Sequence, residues 1–460
     1  MIVEKRYKIE SELGVLTTTG HKLTIGVQTL YDSTEEFFEK TGPREAFKSD
    51  QLRELMLQIA TMTSVRNGTL LLNRMRRADR GMIDTTFRNC VEREGESIQR
   101  HMDDKAEAAI EEKGLAVGCN GVVTWKETDD KVDKVDFMSS SAHIDAQIVH
   151  EAAKSLKLEE GSYNPSDYER DAVNISSDEV GVKRQTESRP REEGKGQPKR
   201  VESTVIHIET ENESGDPKIA SRSSYVLNSS SVTAAHKLLL GFLCLNDLLG
   251  KTIVFFVDGA RNLNTAVTSM FCFLNVKIIL DWYHLRKKME ERTSMICNNR
   301  FYRNELLQKL MPVLWRGDVD SAIAILEAID MSKVKSKEDL EYLIGYLGRV
   351  RDNIPNYMLR AALGLRNSSN CGEKANDLIV SKRQKHNGMS WSDSGSVALA
   401  SVSAVLHNSE FDSWIKNKTL SFQLVERTSP KRSRRNRKRT GTAYENKTAK
   451  VKKTETANAA

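Results

Sequence analysis

Two short apolar runs, Ile253 to Val257 (IVFFV) and Val276 to Leu280 (VKIIL), each pass directly into an acidic residue and then into a segment of helical spacing. Runs of this length and composition fit strands buried on both faces, and two of them joined through a helix can lie parallel in one sheet. Open sheets of this kind place ligand and metal chemistry at the carboxyl ends of their strands. Asp258, which closes the first run and precedes Gly259-Ala-Arg-Asn262, is therefore the first candidate functional residue.

The elements upstream fix the order. Val173 to Asp178, Val201 to Thr210 and Ser223 to Leu227 read as three strands, and Thr233 to Leu249 as a buried helix stopped by Gly250. With a helix over Leu263 to Leu274 the sequence becomes βββαβαβ, a meander extended by parallel strands. This α/β mixed sheet has the order of a ribonuclease H-like domain. Helical patterns at Arg286–Cys297, Arg303–Leu314, Val319–Ala328 and Lys337–Asp352 predict an all-helical insertion at about residues 286–360. A last helix, Glu373 to Gln384, would return the chain to the sheet.

Before this domain, residues 1–32 alternate as a small β hairpin around Thr17 to Gly20, and residues 33–118 take a helical period, with Leu52, Leu55, Met56 and Ile59 on one stripe. Gly68 to Arg77 and a helix from Asp84 or Thr85 to about Glu94, with a break at Ala78 to Gly81, would suit a helix-turn-helix. Arg76, Arg77 and Arg88 are its DNA-facing candidates. A packed helical pair with solvated arginines is the plain alternative. Residues 119–170 turn polar and read as a linker with partial helix from His143 to Leu156, and Thr186 to Arg200 as an excursion between strands. The domain proper spans 171–426, and residues 427–460 form a basic disordered tail.

Charge is concentrated in that tail. From Arg427 onward there are 12 Lys and Arg against 2 Asp and Glu, a net of +10 in a chain of +6. The run from Ser429 (SPKRSRRNRKR), containing Arg434 and Arg435, has no apolar residue with which to build a core and can bind polyphosphate by counterion release. No apolar run approaches the roughly 20 residues of a membrane span, and MIVEKRYKIE lacks the apolar stretch of a signal peptide. The expectation is a cytoplasmic protein with no membrane partner. Six cysteines without a C-x-x-C pair argue against structural zinc and a disulfide framework.

Asp178 and Asp258 end the first and fourth strands, which are adjacent in this topology, and Glu373 begins the late helix. Three converging carboxylates repel one another unless a cation sits among them, and hard oxygen donors suit Mg²⁺, with Mn²⁺ as a substitute. Two ions about 3.5–4 Å apart would serve an in-line phosphodiester displacement. Taken singly, each acid is equally at home as a cap or a dipole partner. Asp281-Trp-Tyr-His284 follows the fifth strand. Asp281 can cap the next helix while His284, Arg286, Lys287 and Lys288 face a phosphate backbone, or the segment is a capped helix with a solvated basic face. Lys382, Arg383 and Lys385, just before Gly388-Met-Ser-Trp-Ser392, form a basic helix end that suits phosphate contact or compensation of the helix C-terminal dipole.

Together NISSDEVGVKRQ, VFFVDGARNL, IILDWYHLRKKM, LWRGDVDSAI and LRNSSNCGEKANDLIVSKRQKHNGMSWS resemble the motifs of bacterial insertion-sequence DDE transposases, in the branch with a helical insertion before the glutamate. The resemblance covers roughly Val173 to Leu424, and Ser64 to Glu94 resembles the helix-turn-helix before the catalytic domain of such proteins. It implies Asp178, Asp258 and Glu373 as catalytic and metal-binding residues, Mg²⁺ as cofactor, element ends and target DNA as partners, a homo-oligomer, and association with the bacterial nucleoid. Asp281 and His284 stand where related mutator-like transposases carry a Cys-x-x-His pair. A hydrolytic nuclease of the same fold and a decayed or repurposed DNA-binding protein are the alternatives.

Overall fold

Alternation at the amino terminus builds more than a hairpin. The computed structural model describes residues 2–35, 39–40, 47–76, 81–125, 141–185, 199–212, 219–259, 261–386 and 389–430. Arg77, Arg434 and Arg435 lie outside these, as do residues 78–80, 186–198 and the tail from 431. Strands β1 (Ile2–Ser11), β2 (Gly14–Ile25) and β3 (Gln28–Asp32) join the two-residue β4 (Glu39–Lys40) and β5 (Phe47–Lys48) in the order β3-β2-β1-β5-β4. The tight turn is at Glu12-Leu13, where the Ser11 hydroxyl donates to the Gly14 carbonyl at 2.9 Å. Thr17 to Gly20, expected as the turn, lies inside β2, because three β-branched residues favour extended backbone.

Three helices follow: α1 (Asp50–Met62), capped by Ser49, α2 (Val65–Arg76) and α3 (Asp84–Glu112). Helix α3 runs well past Glu94, the end expected from the sequence. Its buried stripe continues through Ile98, Met102, Ala106 and Ile110. Strands β6 (Leu115–Val117) and β7 (Val123–Trp125) form a hairpin, and α4 (Ala146–Ser155) comes next. The described part of the expected linker is packed: Ile144, Val149, Ala153 and Tyr168 bury against Leu359.

The main sheet contains β8 (Val173–Lys183), β9 (Arg200–Asn212), β10 (Ile219–Ser229), then after α5 (Val232–Leu245) β11 (Ile253–Val257), and after α6 (Arg261–Phe271) β12 (Val276–Leu280). Its order is β12-β11-β8-β9-β10-β13, with β8, β9 and β10 antiparallel and β11 and β12 parallel to β8. Helices α7 (Trp282–Ile296), α8 (Arg300–Trp315), α9 (Val319–Glu327), α10 (Lys337–Arg349) and α11 (Tyr357–Ala362) fold on their own apolar core, which also takes Val254, Phe256 and Ile279 from the sheet. Then α12 (Asn370–Asn376), a π turn at Asp377–Ser381, α13 (Lys382–Gln384), α14 (Asp393–His407), α15 (Phe411–Asn417) and β13 (Val425–Pro430) close the chain. Arg427, expected to open the disordered tail, is instead in β13, paired with Arg222 of β10.

One core unites α1 to α3 with the main sheet, α5 and α14. At Gly95 of α3 a Cβ would collide with the Ala398 carbonyl of α14, and at Gly241 of α5 with Ala106 of α3. The three helices therefore touch backbone to backbone, so α1 to α3 share the interior of the sheet domain. No helix among the described residues is long and apolar enough to cross a membrane.

Two imidazoles are caught in this interior. Burial pushes His236, which sits against the rings of Phe255 and Phe271, down to about 4. Burial, with the charge of Arg366 beside it, pushes His207 down to about 3. Both are neutral when folded, whereas the unfolded chain binds protons below the ordinary value of 6.5. Their contribution to stability therefore falls as pH drops from about 6.5 toward 4. Urea midpoints are expected to fall from pH 7 to pH 5, and to fall less in His236→Leu. Equal falls in both proteins would contradict this.

Candidate active site

The parallel register of β8 and β11 sets the geometry. Ile253 pairs with Val173 and Phe256 with Ser176, the last pair of the register, so Asp178 and Asp258 each follow two residues beyond it on neighbouring parallel strands. Asp178 does not end its strand, contrary to the expectation from the sequence. Strand β8 continues to Lys183 because β9 still pairs with it, while β11 stops at Val257. Asp178 is half-buried on the exposed flank of β8, and Asp258 is exposed just beyond β11.

Helix α12 brings the third acid. A Cβ at Gly372 would strike the Ser176 side chain, so the helix lies directly on β8. Glu373 is in its first turn, and one turn later Asn376 donates from Nδ2 to Asp178 Oδ2. His284, in the first turn of α7, sets Nε2 3.3 Å from Glu373 Oε1. These groups sense one another. Burial, then the charge of Asp258, raise the Asp178 carboxyl above its usual range, with Glu373 adding and His284 opposing.

Asp281 is buried and holds the two helices together. One oxygen accepts from the backbone N–H of Tyr283 (2.6 Å) and of His284 (3.0 Å), capping α7. The other accepts from the Ser369 backbone N–H and from Ser369 Oγ (2.8 Å), immediately before α12. His284 and Glu373 are thus placed by one carboxylate. Gly372, Asn376 and Ser369 were not singled out from the sequence. The only signal there was that Asn376 stands one helical turn from Glu373.

The basic residues separate into two groups. Arg76 is buried with Glu10 at 3.6 Å, and no part of its guanidinium faces outward. Arg383 is also buried, donating from Nε to the Ala60 carbonyl at 2.6 Å and lying 5.1 Å from the centre of the Trp391 ring. Neither can reach a phosphate backbone, and both correct the DNA-facing expectation: α2 and α13 turn these side chains into the body of the protein. His284 likewise faces a carboxylate. Arg88, Arg286, Lys287, Lys382 and Lys385 are exposed, Arg286 beside Glu290 at 2.8 Å. Trp391 forms a bridge with Arg184 at the end of β8, and Ser392 caps α14.

Carboxylate oxygens are the right donors for a hard divalent ion, and although burial is the main cause of the raised Asp178 carboxyl, the charges of Asp258 and Glu373 add to it in the sense such an ion would relieve. Among the described residues no three His, Cys, Asp or Glu groups stand close enough to hold a metal ion in this conformation. Asp178, Asp258 and Glu373 thus fit the ion in kind but do not form a closed shell.

No protein-family model, curated protein or solved structure matches the chain.

Proposed function

We propose that the chain is an insertion-sequence DDE transposase with a ribonuclease H-like catalytic domain. It would bind the ends of its element, cut DNA phosphodiesters and join the freed 3′ ends to target DNA, acting as a homo-oligomer because two ends must meet. The observation that carries this reading is that Asp178 and Asp258 lie two residues beyond the last pair of the adjacent parallel strands β8 and β11 and that the charges of Asp258 and Glu373 act on Asp178, with Glu373 on the helix laid against β8. The strand order from β10 to β12 agrees with it.

Asp178, Asp258 and Glu373 would hold Mg²⁺, or Mn²⁺ in its place. The bound ions would activate the attacking oxygen and stabilise the leaving one. Asn376 orients Asp178 through its amide. His284 Nε2 stands 3.3 Å from Glu373 Oε1 and would help fix that carboxylate, and Asp281 keeps both helix ends in place.

The test is incubation of the protein with Mg²⁺ and a plasmid carrying the gene's native flanks. Cleavage at the flanks with joined products supports a transposase. Cleavage without joining supports a hydrolytic nuclease, and binding without cleavage a decayed or repurposed DNA-binding protein. The tail contributes separately. Residues 431–460 carry 11 Lys and Arg against 2 Asp and Glu. Their removal is expected to weaken duplex binding and to flatten its salt dependence by about 0.9 in logarithmic slope for each phosphate the arm neutralises. An unchanged slope would mean that the arm is idle. The cut belongs after Pro430, because β13 is part of the sheet.

A further inference from the structure

Helix α7 begins beside the acid cluster and leaves an aromatic ring outside. Tyr283, in its first turn, is 52 % exposed. Its backbone N–H is fixed by Asp281, and its ring stands edge-on to the His284 ring, with the two centres 5.6 Å apart. His284 in turn sets Nε2 3.3 Å from Glu373 Oε1. The exposed ring is therefore two contacts from a candidate catalytic acid.

The same face of α7 continues as a basic surface. Arg286 and Lys287, three and four residues after Tyr283, are exposed with it, whereas Leu285 and Met289 turn inward. Arg286 pairs with Glu290 at 2.8 Å, and Lys287 has no carboxylate partner among the described residues. An open aromatic ring with an unpaired cation one helical turn away suits single-stranded nucleic acid, whose bases stack on rings while its backbone tracks positive charge. Stacking requires a base with an open face. A base inside a paired duplex has none, and a base in unpaired strand has one.

We propose that Tyr283 stacks on an unpaired base of the DNA strand held beside Glu373, and that Lys287 meets the phosphate next to it. The inference rests on the nucleic-acid reading above and adds a residue that positions the strand. Because every base has a π face, the contact would hold the strand without reading its sequence.

The test measures binding of the full chain, without metal, to a single-stranded oligonucleotide and to a duplex, both of the gene's flank sequence. Proteins compared are wild type, Tyr283→Ala, Tyr283→Phe and Lys287→Gln. Tyr283→Ala is expected to bind the single strand about tenfold more weakly and the duplex within about twofold of wild type. Tyr283→Phe keeps the ring and should bind both as wild type does. Lys287→Gln should make the logarithmic salt slope for the single strand shallower by about 0.7. Thermal midpoints should be unchanged in all three, since both side chains are exposed. Single-strand binding by wild type that is unaltered in Tyr283→Ala, or weakened as much in Tyr283→Phe, would overturn the stacking contact and leave the nucleic-acid reading standing. An unchanged slope in Lys287→Gln would overturn the phosphate contact. No binding of either DNA by wild type would overturn both the inference and the reading beneath it.

Discussion

Asp258→Asn is expected, on the proposed transposase reading, to lower Mg²⁺-dependent DNA cleavage by roughly a thousandfold or more, since a metal ligand in phosphoryl transfer is worth several kcal/mol in the transition state. Affinity for DNA should stay within about threefold, because one exposed carboxylate contributes little to a surface dominated by phosphate binding. The fold should tolerate the change: Asp258 is exposed beyond the end of β11, and the amide is nearly isosteric. A second readout follows from the coupling of the acids. Asp258 is the largest charge raising the Asp178 carboxyl, so removing it should let Asp178 titrate closer to its ordinary value. Glu373→Gln should also abolish cleavage, and activity retained in both variants would remove the acids from the chemistry.

Glu94→Ala is expected to destabilise the whole protein by about 3–5 kcal/mol, the usual consequence of stripping one partner from a buried charged group. Glu94 of α3 accepts from Arg53 Nη1 of α1 at 3.1 Å, from Trp414 Nε1 of α15 at 2.9 Å, and from Lys418 Nζ at 2.7 Å. Burial works against its charge, but Lys418 and Arg53 outweigh it and hold the carboxyl below its usual range. Without it, the buried Arg53 loses that partner and keeps its pairing with the exposed Asp50. Chemical denaturation should give one transition at a lower midpoint, because the close approaches at Gly95 and Gly241 make α3 part of the sheet domain's core. Two separate transitions, with only the first moved, would contradict that shared core.

The order of the main sheet was legible because each strand has its own apolar pattern and each connection its own helical period. The buried strand Ile253–Val257 and the helix begun at Ser231 announce themselves locally. The length of β8 was also present in the alternation of Val180 and Val182, but Asp178 drew the boundary too early. What could not be read were facts that depend on a distant partner. An arginine at the end of a helix looks solvated until Glu10 of β1 is placed beside Arg76. Arg383 looks like a basic helix end until Trp391 and Ala60 close around it. The β8–β11 register, in which Phe256 pairs with Ser176 two residues before each aspartate, is encoded by no local pattern.

Binding of Mn²⁺ measured by titration calorimetry, in wild type and in Asp178→Asn/Asp258→Asn, tests most directly whether these carboxylates act as one cation site. The expected result is a wild-type affinity that strengthens as pH rises through the raised titration of Asp178 and is lost in the double variant. Equal binding by the two proteins, or none by wild type at any pH at which it is folded, would contradict it.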